Sequence, residues 1–326
     1  MSGIVQPFID DETKSFFAGR LVLVSGASGH LGSQLVSQLL LCKAKVTLLV
    51  RYKKNLWRLP KAPLNIHEAD LRTLNAGEIS KVIGPQELVY HLAACGVNPH
   101  DCDEWTMMES NVMGTLNMLR LARHLKVRRL VHCGSCFEYG AGISLTEESP
   151  LRPVSLYGAS KAAAGMVVDT FGRTHGLNTV TLRPFTFYGP FDNSQRLVAS
   201  VISNIIQGKP VELTDGKACR DWVFVQDVVG AFLRAGMIKG IEGQVFNVSS
   251  GKSLSVRQVV EHIVPLVGLP ADIRWGALPQ RACELTVCCG NPDKAKALLS
   301  WQAGTGLSEG LKWTVDWFKK RAVNEN

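Results

Sequence analysis

No apolar run in this chain reaches the ~18–20 residues that a bilayer span needs. A secretory leader is not expected, since Asp10, Asp11 and Glu12 lie where one would want a basic start and an apolar stretch. The nine cysteines are odd in number and follow no compact framework, which argues against a disulfide scaffold. Cys42, Cys133, Cys288 and Cys289 sit in apolar segments, as reduced buried thiols do. These absences lead us to expect a cytoplasmic protein. Cys133-Gly-Ser-Cys136 matches C-x-x-C, but no second pair at ligand spacing faces it, so no metal is expected. Internal repeats and low-complexity segments are also missing. With 46% hydrophobic and 20% charged residues, disorder is not a serious reading. The net charge of +8 suits an anionic small ligand. Its basic clusters, Arg51-Tyr52-Lys53-Lys54 and Lys126-Val127-Arg128-Arg129, are short, so neither nucleic acid nor membrane is expected as a partner.

What is present is an alternation. Short apolar runs at 21–24, 46–50, 64–68, 87–92, 129–133 and 177–182 read as buried strands. Amphipathic helices fall at roughly 30–42, 106–125 and 158–175, the second presenting Val112, Leu116 and Leu119 on one face. Strand–helix repetition implies an α/β fold with a doubly wound parallel sheet of the Rossmann type. Beyond Pro184 glycine, proline and polar residues rise, and the chain ends in an amphipathic helix with Trp313, Trp317 and Phe318. We therefore expect an N-terminal arm over 1–19, a dinucleotide-binding domain over 20–185 with a return segment near 223–248, and a smaller α/β lobe over 186–326.

Ser25-Gly26-Ala27-Ser28-Gly29-His30-Leu31-Gly32 follows the first strand directly and opens a helix. Glycines at that spacing allow a tight turn, close approach of backbone to a pyrophosphate, and close helix–sheet packing. The helix N-terminus then offers N–H groups to phosphate. At the end of the second strand an NAD-binding fold usually carries an acid for the ribose hydroxyls. Here Val50 is followed by Arg51, which can pair with a 2′-phosphate, so NADP(H) is preferred over NAD(H). Ala69-Asp70-Leu71 is a candidate edge for adenine, and a capping role for Asp70 is the competing reading.

Tyr157 and Lys161 are four apart on a helix, hence on one face. A phenol titrates near ~10, and a nearby ammonium favours its ionised form. Ser135, at the end of the fifth strand, can hydrogen-bond a substrate oxygen. The order of glycine loop, serine and Tyr-x-x-x-Lys carries more weight than any one of them.

With these residues in place, the chain resembles an extended short-chain dehydrogenase of the NAD-dependent epimerase/dehydratase family, over roughly residues 20–320. Further matching segments are His91-Leu92-Ala93-Ala94, Asn111-Val112-Met113-Gly114-Thr115, Leu182-Arg183-Pro184-Phe185, Tyr188-Gly189-Pro190, Arg220 to Asp227 and Phe246-Asn247-Val248. The resemblance implies that Tyr157 is the acid/base, that Lys161 orients the nicotinamide ribose, and that Ser135 polarises the sugar oxygen. It places Leu92, Ala93, Ala94 and Pro184 near the cofactor, and Cys136, Phe137, Thr186, Arg220 and Arg281 near a nucleotide-diphosphate sugar. Asn111 it makes a brace. A homodimer through two helices of the sheet domain is usual for relatives.

Two departures matter. Relatives often carry asparagine where Thr186-Phe187 stands, which weakens that phosphate contact. Sugar 4,6-dehydratases carry Asp-Glu directly after the catalytic hydroxyl; here Cys136-Phe137 stands there, with Glu138 one step late. That argues against dehydration. The expected activity is NADPH-dependent reduction of a nucleotide-linked keto-deoxysugar, at C4. The alternatives are an NAD-dependent 4-epimerase and a non-catalytic NADPH-binding regulatory or scaffold protein.

Overall fold

The computed structural model describes residues 9–54, 56–97, 102–280 and 283–325. In chain order the first half runs α1 (Asp11–Phe17), β1 (Leu21–Ser25), α2 (His30–Leu41), β2 (Lys45–Val50), β3 (Asn65–Glu68), α3 (Ala76–Ile83), β4 (Leu88–His91), α4 (Glu104–Met108), α5 (Gly114–His124) and β5 (Arg129–Cys133). Next come β6 (Gly142–Leu145), α6 (Leu156–His175), β7 (Thr179–Pro184), β8 (Thr186–Tyr188), α7 (Leu197–Ile206), β9 (Val211–Leu213), β10 (Cys219–Phe224) and α8 (Val225–Met237). The rest is β11 (Val245–Val248), β12 (Ser253–Ser255), α9 (Val256–Val267), β13 (Ile273–Trp275), β14 (Val287–Gly290), α10 (Asp293–Leu299) and α11 (Leu307–Glu325).

The expected parallel sheet is present. Seven strands lie in the order β11-β7-β5-β4-β1-β2-β3, all adjacent pairs parallel. Its central strands are sequestered on both faces, which is why they read as unbroken apolar runs. A second sheet runs in the order β12, β10, β14, β6, with β8 beside β10; apart from β6 it comes from the second half of the chain, as does a short β13–β9 pair. There Val259, Ile263, Ile202 and Leu311 form a separate apolar cluster. No helix among the described residues is long and apolar enough to cross a membrane.

Two local features differ from the sequence expectation. Within residues 1–19, Asp11–Phe17 is helical, capped by Asp10 and anchored by the fully buried Phe17. The helix expected near 106–125 is broken by a π-turn over Glu109–Met113. That extra residue rotates the buried face: Asn111, Thr115, Met118 and Leu119 point inward, while Val112 and Leu116 are only half-buried.

A buried guanidinium ties the sheet to its covering helix. Arg129, 1% exposed, donates to Ala235 O (2.8 Å), to Ile238 O and to Glu242 Oε1 (2.8 Å). Arg129→Met strands those acceptors, so urea denaturation should show a loss of about 2–4 kcal/mol. A change below about 0.5 kcal/mol, the ordinary surface value, would contradict this account.

Candidate active site

The glycine loop joins β1 to α2 and turns back on itself. Gly26 has φ +74°, and a Cβ there would stand 2.5 Å from Ala93 N. A Cβ on Gly32 would meet Gly26 O at 2.1 Å. The first glycine thus serves conformation and contact with β4's end, and the third serves packing of the helix on the loop. Gly29 begins α2 without any side-chain cap, so the first-turn N–H groups face outward as an anion cradle. Ser28 is half-buried beside them and Leu31 is buried. His30 brings only its backbone. Its Nε2 donates to Pro190 O (2.9 Å) and its Nδ1 lies 3.1 Å from Asp192 Oδ1, which turns the ring away toward the loop after β8.

At the adenosine side, Arg51 is exposed, its guanidinium 5.1 Å from the Tyr52 ring centre. Both carboxylates on this rim are engaged. Glu68 accepts from Lys53 N (2.9 Å). Asp70 takes Arg72 by a fork, at 2.6 Å and 3.1 Å, and also accepts from Arg72 N. That hydrogen bonding holds the Asp70 carboxyl below its ordinary range. Leu71 is fixed by its carbonyl, which accepts from Asn117 Nδ2 (2.8 Å). Leu92 and Ala93 are half-buried and Ala94 is exposed at the end of β4; Pro184 closes β7.

Ser135 follows β5 and starts a short 3-10 turn. Its hydroxyl accepts from Phe137 N (3.2 Å), and its own N–H donates to Glu138 Oε1 (2.7 Å). The other Glu138 oxygen accepts from Arg183 Nε (2.7 Å), with both groups buried. From Arg183 the chain runs through Tyr139 Oη (2.8 Å) to Asn247 Oδ1 (2.8 Å).

Helix α6 approaches this turn closely. Ser155 caps it by accepting from Gly158 N (3.1 Å), and a Cβ on Gly158 would lie 2.3 Å from Phe137 O. The approach sets the Tyr157 ring edge-on to Phe137, centroids 6.1 Å apart, beside the turn that Ser135 opens. Burial pushes the phenol above its ordinary range, as does Cys133; Ser135 and Arg196 pull it down. Arg196 is thus a further cation that favours the ionised form of Tyr157. Lys161 is 2% exposed and lies against Cys133 and Glu138. Burial lowers its pKa, and no hydrogen-bond acceptor among the described residues satisfies its ammonium. Asn111 braces the same helix by donating to Ser160 Oγ (2.9 Å).

On the substrate side, Cys136 is buried against Cys288, and Thr186 is half-buried in β8, paired with Trp222. Arg220, expected as a phosphate grip, spends its fork on this chain's own Cys219 O (2.9 Å), Leu285 O (2.7 Å) and Glu284 (3.3 Å). Arg281 lies outside the described residues. Two groups that the sequence reading missed are Arg196 and Asp192, which belong to no recognisable motif. Burial raises the Asp192 carboxyl, but His30 and Arg196 outweigh it and set its pKa at about 2, below the ordinary 3.8.

An uncapped helix start, a glycine cradle and a buried lysine suit a dinucleotide with phosphates and ribose hydroxyls. Comparison with known proteins agrees. The model of the NAD dependent epimerase/dehydratase family matches residues 22–249. The UDP-glucuronate 4-epimerase of Thermodesulfobacterium geofontis is 29% identical, covering 91% of this chain and 96% of that protein. The UDP-glucose 4-epimerase of Mycolicibacterium smegmatis is 30% identical, covering 92% and 99%. The structure of MoeE5 in complex with UDP-glucuronic acid and NAD superposes with a TM-score of 0.84 at 30% identity, covering 92% of this chain and 99% of that one.

Asp192 gives an acid-stability test. Because its folded pKa lies below the unfolded value, its contribution is complete above about pH 4 and is lost as pH falls through about 2. Asp192→Asn should therefore be less stable by about 2 kcal/mol at neutral pH, with the gap to the parent closing at about pH 2. A pH-independent gap in denaturation midpoints would refute the assignment.

Proposed function

The chain belongs to the NAD-dependent epimerase/dehydratase family, and from that footing we propose that it reduces a keto group, at C4, on the sugar of a nucleotide diphosphate sugar, with NADP(H) as redox partner. The observation that carries the cofactor choice is the rim beyond β2. Arg51 stands where a carboxylate would reject a 2′-phosphate, and Glu68 and Asp70 are already bound by neighbours. Dehydration lacks its machinery: Cys136 and Phe137 follow Ser135, and Glu138 is locked to Arg183 beneath the turn.

A bound nicotinamide dinucleotide supplies the hydride. The protein's own residues do the rest. The N–H groups of His30 to Gly32 and the Lys161 ammonium would hold the cofactor's phosphates and ribose. Ser135 Oγ positions the sugar oxygen, and the Tyr157 phenol donates its proton there. Cys136, Phe137 and Thr186 border the sugar. Ala93, Ala94, Leu71 and Pro184 border the cofactor, and Arg281 is a candidate diphosphate contact. Arg220 takes that role only if its bonds to Leu285 O and Glu284 are exchanged. The exposed Met113 and Met166 support a homodimer through α5 and α6. The buried reduced thiols Cys42, Cys136, Cys288 and Cys289 support a cytoplasmic setting.

The 29–30% identity to UDP-sugar 4-epimerases favours a second reading, epimerisation with retained NAD. Mass spectrometry of the purified protein separates the two. Bound NAD, with no net NADPH consumption on a panel of nucleotide keto-sugars, would sink the reductase. Arg51→Asp should lower kcat/KM for NADPH by about 10–100-fold relative to NADH. An unchanged ratio removes the argument from the rim. Tyr157→Phe should cost about 10²–10⁴-fold in turnover while dinucleotide affinity is kept. Retained biological activity in that variant would instead favour a scaffold.

A further inference from the structure

Directly after Ala93 and Ala94 the chain carries a thiol, and seven positions on it carries another. Cys95 Sγ and Cys102 Sγ lie 2.9 Å apart, and both residues are partly exposed. The other close thiol pair, Cys136 and Cys288, is buried on both sides. Cys95 is also wired to the catalytic helix. Its N–H donates to Asn111 Oδ1 (2.9 Å), and Asn111 Nδ2 donates both to Cys95 O (3.0 Å) and to Ser160 Oγ (2.9 Å). Ser160 Oγ in turn donates to Tyr157 O (2.8 Å). Asn111 sits in the π-turn, where helical hydrogen bonding is already irregular and small shifts are cheap.

We propose that Cys95 and Cys102 form a reversible disulfide site through which the thiol redox state sets the activity at Tyr157. Hydrogen peroxide is a sufficient oxidant. One thiolate attacks the peroxide O–O bond, giving a sulfenic acid and one water. The second thiolate displaces the sulfenic oxygen as a second water, so two thiols give up two electrons and two protons in all. Bond formation draws the sulfurs from 2.9 Å to about 2.05 Å. Cys95 moves with its sulfur, and both ends of the Asn111 clamp shift against Ser160. A misplacement of that size in a positioning contact costs on the order of tenfold or more in turnover. Only the turnover readout rests on the function proposed above; formation of the bond does not.

The test treats full-length protein with a few equivalents of hydrogen peroxide, then maps peptides by mass spectrometry and follows turnover and dinucleotide affinity. The expected result is a Cys95–Cys102 cross-linked peptide, a fall in turnover on the order of tenfold, and recovery with a thiol reductant. Cys102→Ser should keep its basal activity and lose the peroxide response. Should the protein turn over no nucleotide sugar, the cross-link and a change in dinucleotide affinity still decide the matter. The proposal is overturned if peroxide oxidises other cysteines first. It is equally overturned if the cross-link forms and both readouts stay unchanged, or if Cys102→Ser responds like the parent.

Discussion

The geometry of the site depends on one buried carboxylate. Glu138 accepts from Ser135 N with one oxygen and from Arg183 Nε with the other, at 2.7 Å each. It thereby fastens the turn that presents the Ser135 hydroxyl to β7, a strand of the sheet, without using the hydroxyl itself. A carboxylate buried this deeply is costly unless paired, and Arg183 meets that cost while continuing through Tyr139 to Asn247 on β11. Three strands of the parallel sheet (β5, β7 and β11) therefore converge on one turn. Removing Glu138 would strand a buried guanidinium as well as free the serine, so the placing of the Ser135 hydroxyl and the sheet's integrity are one structural matter.

Charge under the site follows from this. Arg183 and Lys161 are both buried, and Glu138 faces both. His91 and His132 add no charge, because burial, with Lys161 second, drives His91 down to about 3 and His132 well below its ordinary value. His91 instead serves as a neutral bridge, with Nδ1 at 2.7 Å from Ser25 Oγ and Nε2 at 3.0 Å from Thr115 Oγ1. The floor so formed carries one cation more than its carboxylate balances. Lys161 holds that excess with no acceptor of its own, which is a poor arrangement for an empty protein and a good one for a ligand rich in hydroxyls and phosphate.

How much of this could be read from residues alone depends on whether the signal was local. Strand β5 was expected at 129–133 and is found there, because an apolar run ended by glycine specifies a buried strand by itself. The glycine loop was legible for a similar reason: spacing within a motif fixes it once the fold class is known. Failures came where tertiary contact overrode local pattern. Periodicity through 106–125 could not reveal the π-turn that aims Asn111 inward, since one extra residue leaves the composition unchanged. Spacing put Tyr157 and Lys161 on one face of α6, but it could not show how deeply Lys161 is buried. Arg220 has the chemistry of a phosphate grip, but its fork is already taken by backbone carbonyls that no motif displays.

Arg196 shows why such misses cluster at the seam between the sheet and the second half of the chain. It lies at the start of α7, touching Phe187 with its charge and hydrogen-bonding that residue's carbonyl (3.2 Å). It faces Asp192 at 3.7 Å, Asp192 faces His30 at 3.1 Å, and His30 opens the helix of the glycine loop. One short line of charges thus runs from the phosphate cradle, through the loop after β8, to a guanidinium that acts on Tyr157. Its members are more than 160 residues apart in sequence at the extremes, so no window along the chain contains them. Yet the line joins the two things the chemistry must bring together, the end of the cofactor and the proton donor. A change in where the loop at 190–192 sits alters both at once, because the carboxylate of Asp192 faces both the His30 ring and the Arg196 guanidinium.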